Sequence, residues 1–154
     1  SDVIATIGQT RASHILLRPG NGQSAEALAR RMNEMREQIT SGKRRFDEVA
    51  RSASEDGSAA QGGDLGWANP GNFVPEFEEV MNRLPTGTVS EPFQSRFGMH
   101  LLVVTDRRQV PMDLRQLREQ ARAALREQKS EAAYAEWIEE LRSRAYIEMR
   151  EPPQ

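Results

Sequence analysis

The chain has 154 residues, of which 37% are hydrophobic and 29% charged, with a formal net charge of -2 and no cysteine. This is the size of one ordinary domain with a small appendage. A near-neutral balance argues against nucleic acid as the main partner, because neutralising phosphates takes a basic excess on one face. The lack of cysteine excludes disulfides, thiol nucleophiles and cysteine zinc sites, and no apolar run approaches the length of a membrane span.

The chain opens on Ser1-Asp2, with neither methionine nor leader, and reads as a piece of a longer or processed protein. Residues 1–10 form an opening segment. Within it, Val3-Ile4-Ala5-Thr6-Ile7 has β-type residues but no evident partner. Ser13-His14-Ile15-Leu16-Leu17 is apolar on both faces and predicts a central strand. Pro19-Gly20-Asn21-Gly22 is a turn cluster. Ala25, Leu28, Met32, Met35 and Ile39 recur at helical spacing, and Gly42 ends that helix. Phe46, Val49, Ala50 and Ala53 mark a second, shorter helix.

An acidic bend, Ser54-Glu55-Asp56, follows. Next comes Gly62-Gly63-Asp64-Leu65-Gly66-Trp67, with three glycines in five positions. Such a backbone must pass through positive φ or approach another backbone closely. Leu65 to Trp67 reads as a very short strand. Pro75 suits the first turn of a helix, and Phe77, Val80, Met81 and Leu84 supply its apolar stripe. After the turn Pro85-Thr86-Gly87-Thr88, residues Val89 to Ser95 predict a strand, with Pro92 placing it at an edge. Gly98 to Asp106 is the last strand of the domain and carries His100.

Beyond Met112 the composition shifts to Arg, Glu, Gln and Ala. Asp113 and Gln116 suggest a capping box. Leu114, Leu117, Ala121 and Leu125 follow at helical spacing, and Tyr134, Trp137, Ile138, Leu141 and Ala145 resume it. Tyr146-Ile147-Glu148-Met149 suits a final short strand.

Several residues invite a chemical reading. His14 and His100 are the chain's two histidines, and both sit in predicted apolar strands. A lone histidine there is usually a satisfied core residue, whereas a pair on central strands points to a site. Zinc needs three or four ligands, and the sequence has no H-x-H or H-x-x-x-H spacing. Asp56 could simply cap or bend a helix end, or it could orient imidazoles. Asp64 reads as a turn acid that bonds backbone amides. Ser95 lacks a base at the spacing of an acyl nucleophile. Leu65, Phe73 and Phe77 could be plain core.

In order, the chain offers a histidine strand, two helices, the acidic bend, GGDLGW, the Phe73/Phe77 pair and Phe97-Gly98-Met99-His100. This order resembles parvulin-type peptidyl-prolyl isomerases from about Ala12 to Arg108. The resemblance implies an α+β fold, a four-stranded antiparallel sheet with flanking helices, and a domain spanning residues 11–108. It implies that His14 and His100 lie side by side on the two central strands and face the same way. Asp56 would face them, as the acid form of a position that holds an acid or a cysteine in the family. Leu65, Phe73 and Phe77 would surround the substrate proline, a rigid and mostly apolar ring. Phe73 stands where many members have methionine. Ser95 would lie near the substrate carbonyl. The implied catalytic set is His14, Asp56, Ser95 and His100, with no metal and no cofactor. Some members carry a basic loop that reads a phosphate before proline. The turn here offers only Arg18, so no phosphate dependence is expected.

Residues 109–154 form a helical C-terminal extension. The stretch from Trp137 to Tyr146 resembles the C-terminal segment of SurA-like periplasmic chaperones, where it packs on an N-terminal domain. That likeness implies a periplasmic location. It also implies partners that are unfolded or extended polypeptides with X-Pro bonds, outer-membrane protein precursors among them. The stripe of Leu114, Leu117, Leu125, Tyr134, Trp137, Ile138 and Leu141 is expected either to pair with the same stripe of a second copy or to fray at low concentration. Two readings stay open: an enzyme that accelerates X-Pro isomerisation, and a parvulin-shaped module that binds clients with little turnover.

Overall fold

In a computed structural model of the chain, the described residues are 3–20, 22–115, 117–119, 121–122, 138–139 and 147–149. They divide into two compact units, one of residues 10–107 and one of residues 1–9 with 108–154. The elements run β1 (Val3–Leu17), α1 (Ala25–Thr40), α2 (Phe46–Ala53), a 3₁₀ turn (Gly57–Gln61), β2 (Asp64–Ala68), α3 (Pro75–Arg83), β3 (Phe93–Ser95), β4 (Gly98–Met112) and β5 (Ile147–Met149).

The larger unit is the expected α+β arrangement, a four-stranded antiparallel sheet in the order β2-β1-β4-β3. β2 runs antiparallel to β1, with Arg11 opposite Trp67, and β3 runs antiparallel to β4, with Phe93 opposite His100. Side chains alternate between the faces of a strand, and here both faces are covered. Ile15, Leu17 and Leu101 meet Leu28 and Met32 of α1 and Val49 and Ala50 of α2. On the other face Ala12, Leu102 and Val104 meet Phe77 and Met81 of α3. Each large apolar side chain taken from water in this way contributes about 1.5–3 kcal/mol.

Local signals set the helix ends. The Ser24 hydroxyl accepts the Ala27 N–H at the start of α1. Pro75 occupies the first turn of α3, where its missing N–H costs nothing, and Glu76 and Glu78 complement the helix dipole there. The 3₁₀ turn, which no pattern in the sequence announces, is capped by Asp56, whose Oδ2 accepts the Ser58 N–H at 2.9 Å.

Strand lengths differ from the sequence expectation at three places. Residues 89–95 do not make one strand. Val89 forms an isolated bridge with Val103, and β3 begins only at Phe93, because Pro92 brings no N–H to the ladder. β4 continues past Asp106 to Met112. β1 starts at Val3 rather than near Ser13. In the smaller unit, Val3, Ile4 and Ala5 pair with Met149, Glu148 and Ile147 of β5, so the partner of the opening segment lies at the far end of the chain. The Thr6 hydroxyl also bonds Gln109, and Arg108 Nε donates to Gln9 at 2.8 Å.

The described positions between 114 and 122 are helical, as are 138 and 139. The Asp113 side chain accepts the Arg115 N–H at 2.8 Å, an N-cap bond; Gln116, with which it was expected to form a capping box, lies outside the described residues. So do Leu125, Tyr134, Trp137, Leu141 and most of the Trp137–Tyr146 stretch.

Candidate active site

The site grows from the adjacency of β1 and β4. His14 and His100 project from these central strands toward α3, and both are buried, at 6% and 2% exposure. Their Nδ1 atoms are 3.1 Å apart, and the rings stack with centroids 5.3 Å apart and planes 19° apart. The side-by-side placement that the resemblance implies is therefore present.

Main-chain bonds then bring the acidic bend to His14. The Leu16 N–H donates to Ser54 Oγ at 3.1 Å, and the Glu55 N–H donates to Leu16 O at 2.8 Å. On the other side of the bend, the His14 N–H donates to Gly63 O at 3.0 Å. A Cβ at Gly63 would stand 2.3 Å from His14 O, and its φ is +85°. Only glycine fits a backbone that close in that conformation. Asp56 Oδ2 thereby comes within 3.0 Å of His14 Nε2. The contact is off the N–H axis, and this buried nitrogen has no aligned hydrogen bond. Asp56 thus serves both readings of it: it caps the 3₁₀ turn and it faces the histidine pair.

At the other end of the row, Ser95 Oγ lies 2.5 Å from His100 Nε2 and accepts the Phe97 N–H at 3.0 Å. Ser95 therefore does have an adjacent base, which sequence spacing concealed. The hydroxyl is already engaged and its residue buried, so it is placed to orient His100.

One proton arrangement fits the row. Burial alone would raise the Asp56 carboxyl, but the Ser58 hydroxyl and amide, and then His14, hold it down to about 2. Asp56 is thus an acceptor, and His14 Nε2 must carry the proton that faces it. In that arrangement His14 Nδ1 accepts from the Nδ1–H of His100. His100 Nε2 in turn accepts from the Ser95 hydroxyl, which accepts from Phe97. Burial and then the neighbouring His14 push His100 down to about 4, against the opposing pull of Asp56 and Glu76, so His100 is neutral at pH 7.

Aromatic rings cover the row. Phe77, 4% exposed, sets its edge against both imidazoles, with centroids 5.5 Å from His14 and 5.3 Å from His100. Phe73 lies 4.9 Å from Phe77. Leu65 and Phe73, both half-buried, pack on the same cluster as Phe77. All seven residues singled out in the sequence thus belong to one region. Phe93 was not among them. It stacks on His100 with centroids 5.2 Å apart, directly opposite it in the β3–β4 register. Its signal was present, since it lies two residues before Ser95 and so shares its face.

Two carboxylates flank Phe77 in sequence. Glu76 bonds Arg96. Glu78 is buried and accepts the Gly71 N–H at 2.9 Å, which ties α3 to the turn that carries Phe73. Asp64 accepts the Gly66 N–H at 2.9 Å and pairs with Arg11, the turn role its place suggested. Among the described residues no three His, Asp or Glu side chains converge as metal ligands do, and no helix is long and apolar enough to cross a membrane.

This fold and this family of residues have relatives. The Rotamase family, described as the PPIC-type PPIase domain, matches residues 14–106, more than half of the chain. The chain belongs to that family and contains a peptidyl-prolyl isomerase domain of the parvulin type. It is 51% identical over 149 residues to the chaperone SurA of Albidiferax ferrireducens, covering 97% of this chain and 32% of that one. Against the chaperone SurA of Thiobacillus denitrificans it is 46% identical, covering 97% of this chain and 34% of that one. The chain thus spans about a third of the length of these relatives. Among solved structures, PrsA of Bacillus anthracis superposes with a TM-score of 0.62 at 25% identity, covering 94% of this chain and 63% of that one. A PpiC-type isomerase domain gives 0.60 at 27% identity, covering 66% of this chain and 93% of that one.

Proposed function

We propose that the row Asp56–His14–His100–Ser95, covered by Leu65, Phe73 and Phe77, is the centre at which this domain isomerises X-Pro bonds. The observation that supports this reading is the 3.1 Å contact between the two imidazoles, held between a carboxylate and a hydroxyl beneath the Phe77 ring. The reaction breaks no bond. Its barrier, on the order of 20 kcal/mol, is amide resonance, so catalysis requires only that the twisted amide bind better than either planar form. The apolar cup takes the proline ring and excludes water from an amide that is less charge-separated when twisted. Beneath the cup, the row acts as a fixed polar floor toward the rotating carbonyl. No cofactor or metal is needed, and each 1.36 kcal/mol of preference for the twisted form gives about tenfold in rate.

Clients in this proposal are unfolded or extended polypeptides, in particular outer-membrane protein precursors in the periplasm. The similarity to SurA chaperones supports that choice. The test is catalysed cis-to-trans relaxation of a short X-Pro peptide, with the wild type and with His100→Ala. Acceleration by the wild type and its loss in the variant fit the proposal. Peptide binding with no acceleration by either protein would instead make the domain a client-binding module. The client class is tested by suppression of aggregation, comparing an unfolded outer-membrane barrel with an unfolded soluble protein. Equal protection of both would sink the outer-membrane preference.

A further inference from the structure

Glu76 and Arg96 stand outside the row of site residues, yet each adjoins one residue that touches His100. Glu76 is the second residue of α3 and precedes Phe77. Its carboxylate accepts three hydrogen bonds from Arg96: from Nε at 3.0 Å, from Nη2 at 3.1 Å and from the main-chain N–H at 3.0 Å. The planar guanidinium fork matches a carboxylate in two places at once. The main-chain bond adds a third point, one that does not depend on a flexible stem.

Arg96 and Phe97 are the two residues that join β3 to β4, where Ser95 pairs with Gly98. Holding Arg96 therefore holds the tip of this hairpin against the first turn of α3. An isolated exposed ion pair contributes little, because two long side chains must give up their freedom to form it. Here the fork and the backbone amide fix the geometry together. The reach of the pair also extends inward. The Glu76 charge acts on His100, raising its pKa against burial and His14, alongside Asp56.

Resting on the isomerase reading of the site, we propose that Glu76 and Arg96 are a pair of positioning residues. They clamp the β3–β4 hairpin to α3 and so keep the Ser95 hydroxyl on His100 Nε2. Removing the clamp lets Ser95 and His100 drift while Leu65, Phe73 and Phe77 keep their places. The expected result is a fall in kcat with KM nearly unchanged.

The experiment is a double-mutant cycle in the X-Pro peptide assay, with ¹⁵N shifts of the His100 ring as a second readout. Glu76→Ala, which removes all three bonds, should lower kcat by about tenfold, and Arg96→Ala, which leaves the main-chain bond, severalfold, the scale of a small misplacement. The double variant should be no worse than Glu76→Ala alone. The His100 ring shifts, which report the nitrogen that carries the proton, should move in both single variants. Glu79→Ala, which breaks the neighbouring pair with Arg83, should change neither readout. A wild-type kcat with unmoved shifts in Arg96→Ala overturns the clamp, as does a double variant whose loss is the product of the single losses. Should Glu76→Ala fail to fold, Arg96→Ala decides alone, because its side chain is exposed. His100→Ala in the same series separates the two ideas. If it is inactive while Arg96→Ala is normal, the site reading stands and the clamp falls; if it is fully active, both fall.

Discussion

His14 and His100 meet Nδ1 to Nδ1 at 3.1 Å, from neighbouring strands. Two ring nitrogens that close can share one proton but cannot both carry one, since two N–H groups would then point at each other. The pair is thus a single unit with a direction, set by Asp56 at one end and by the Ser95 hydroxyl at the other.

The burial of His100 makes stability depend on pH. An ordinary histidine takes its proton near pH 6.5, whereas His100 does so only near pH 4. Between these values the unfolded chain binds a proton that the folded one refuses. Its contribution is therefore full above about pH 6.5 and lost as pH falls toward 4, by about 3 kcal/mol in all. Asp56 then acts in a lower window. Its folded pKa of about 2 lies below the ordinary 3.8, so its contribution is lost as pH falls from about 4 toward 2. Urea midpoints of the wild type and of His100→Phe at pH 7, 5.5 and 4.5 check the upper window. A flat wild-type profile would falsify it.

Asp56→Asn separates the cap from the charge. An asparagine oxygen can still accept the Ser58 N–H, so the 3₁₀ turn should survive with a stability loss of about 1 kcal/mol. Without the charge, His14 no longer needs its proton at Nε2, and His100 titrates at a still lower pH. Peptide turnover should fall severalfold while the melting temperature changes by only a few degrees. If activity and stability fall together, the cap alone explains the residue.

Phe77 is more deeply buried than a pocket wall need be. In sequence Phe77 could be plain core or, by resemblance, part of the ring around the substrate proline. At 4% exposure, packed on both histidines, Phe73 and Phe93, it is core, and in the proposed site it is also the wall of the cup. Phe77→Ala should cost about 3–5 kcal/mol of stability. Phe77→Leu should cost less and still lower turnover, because it keeps volume but loses the edge-on contact with the imidazoles. Chemical denaturation with the peptide assay on both variants decides. Normal turnover in Phe77→Leu would remove the ring from the catalytic surface.

The glycines of the turn should not be equivalent. Gly66 has φ +72° with open space around its missing side chain, so Gly66→Ala meets only backbone strain, about 1–2 kcal/mol. Gly63→Ala adds a collision with His14 O and should cost clearly more, or prevent folding. Similar urea midpoints for the two variants would show that the turn relaxes away from β1 without penalty.

Much of this was legible because it is local. Alternation in Ser13–Leu17 marked a central strand, helical spacing marked α1 to α3, and the glycine cluster marked a backbone in positive φ or close to another, without naming His14 as the partner. What stayed hidden depends on pairing across the sequence. The partner of Val3–Ala5 is β5, far along the chain, so no local pattern could reveal it. The Ser95–His100 bond depends on a two-residue hairpin that composition does not announce, with Pro92 blurring where β3 begins. Glu76 and Arg96 belong to no pattern read in the sequence, because their meaning lies in a contact between a helix start and a hairpin tip.

One feature of Asp56 reaches beyond geometry. Parvulins place either an acid or a cysteine at this position, and a thiolate beside a histidine is an easy target for peroxide. Here the row consists of a carboxylate, two imidazoles and a hydroxyl, in a chain without any cysteine. Met81, in the same cluster as Phe77, is itself buried. The row therefore offers peroxide no thiol to oxidise, unlike the cysteine form of this position.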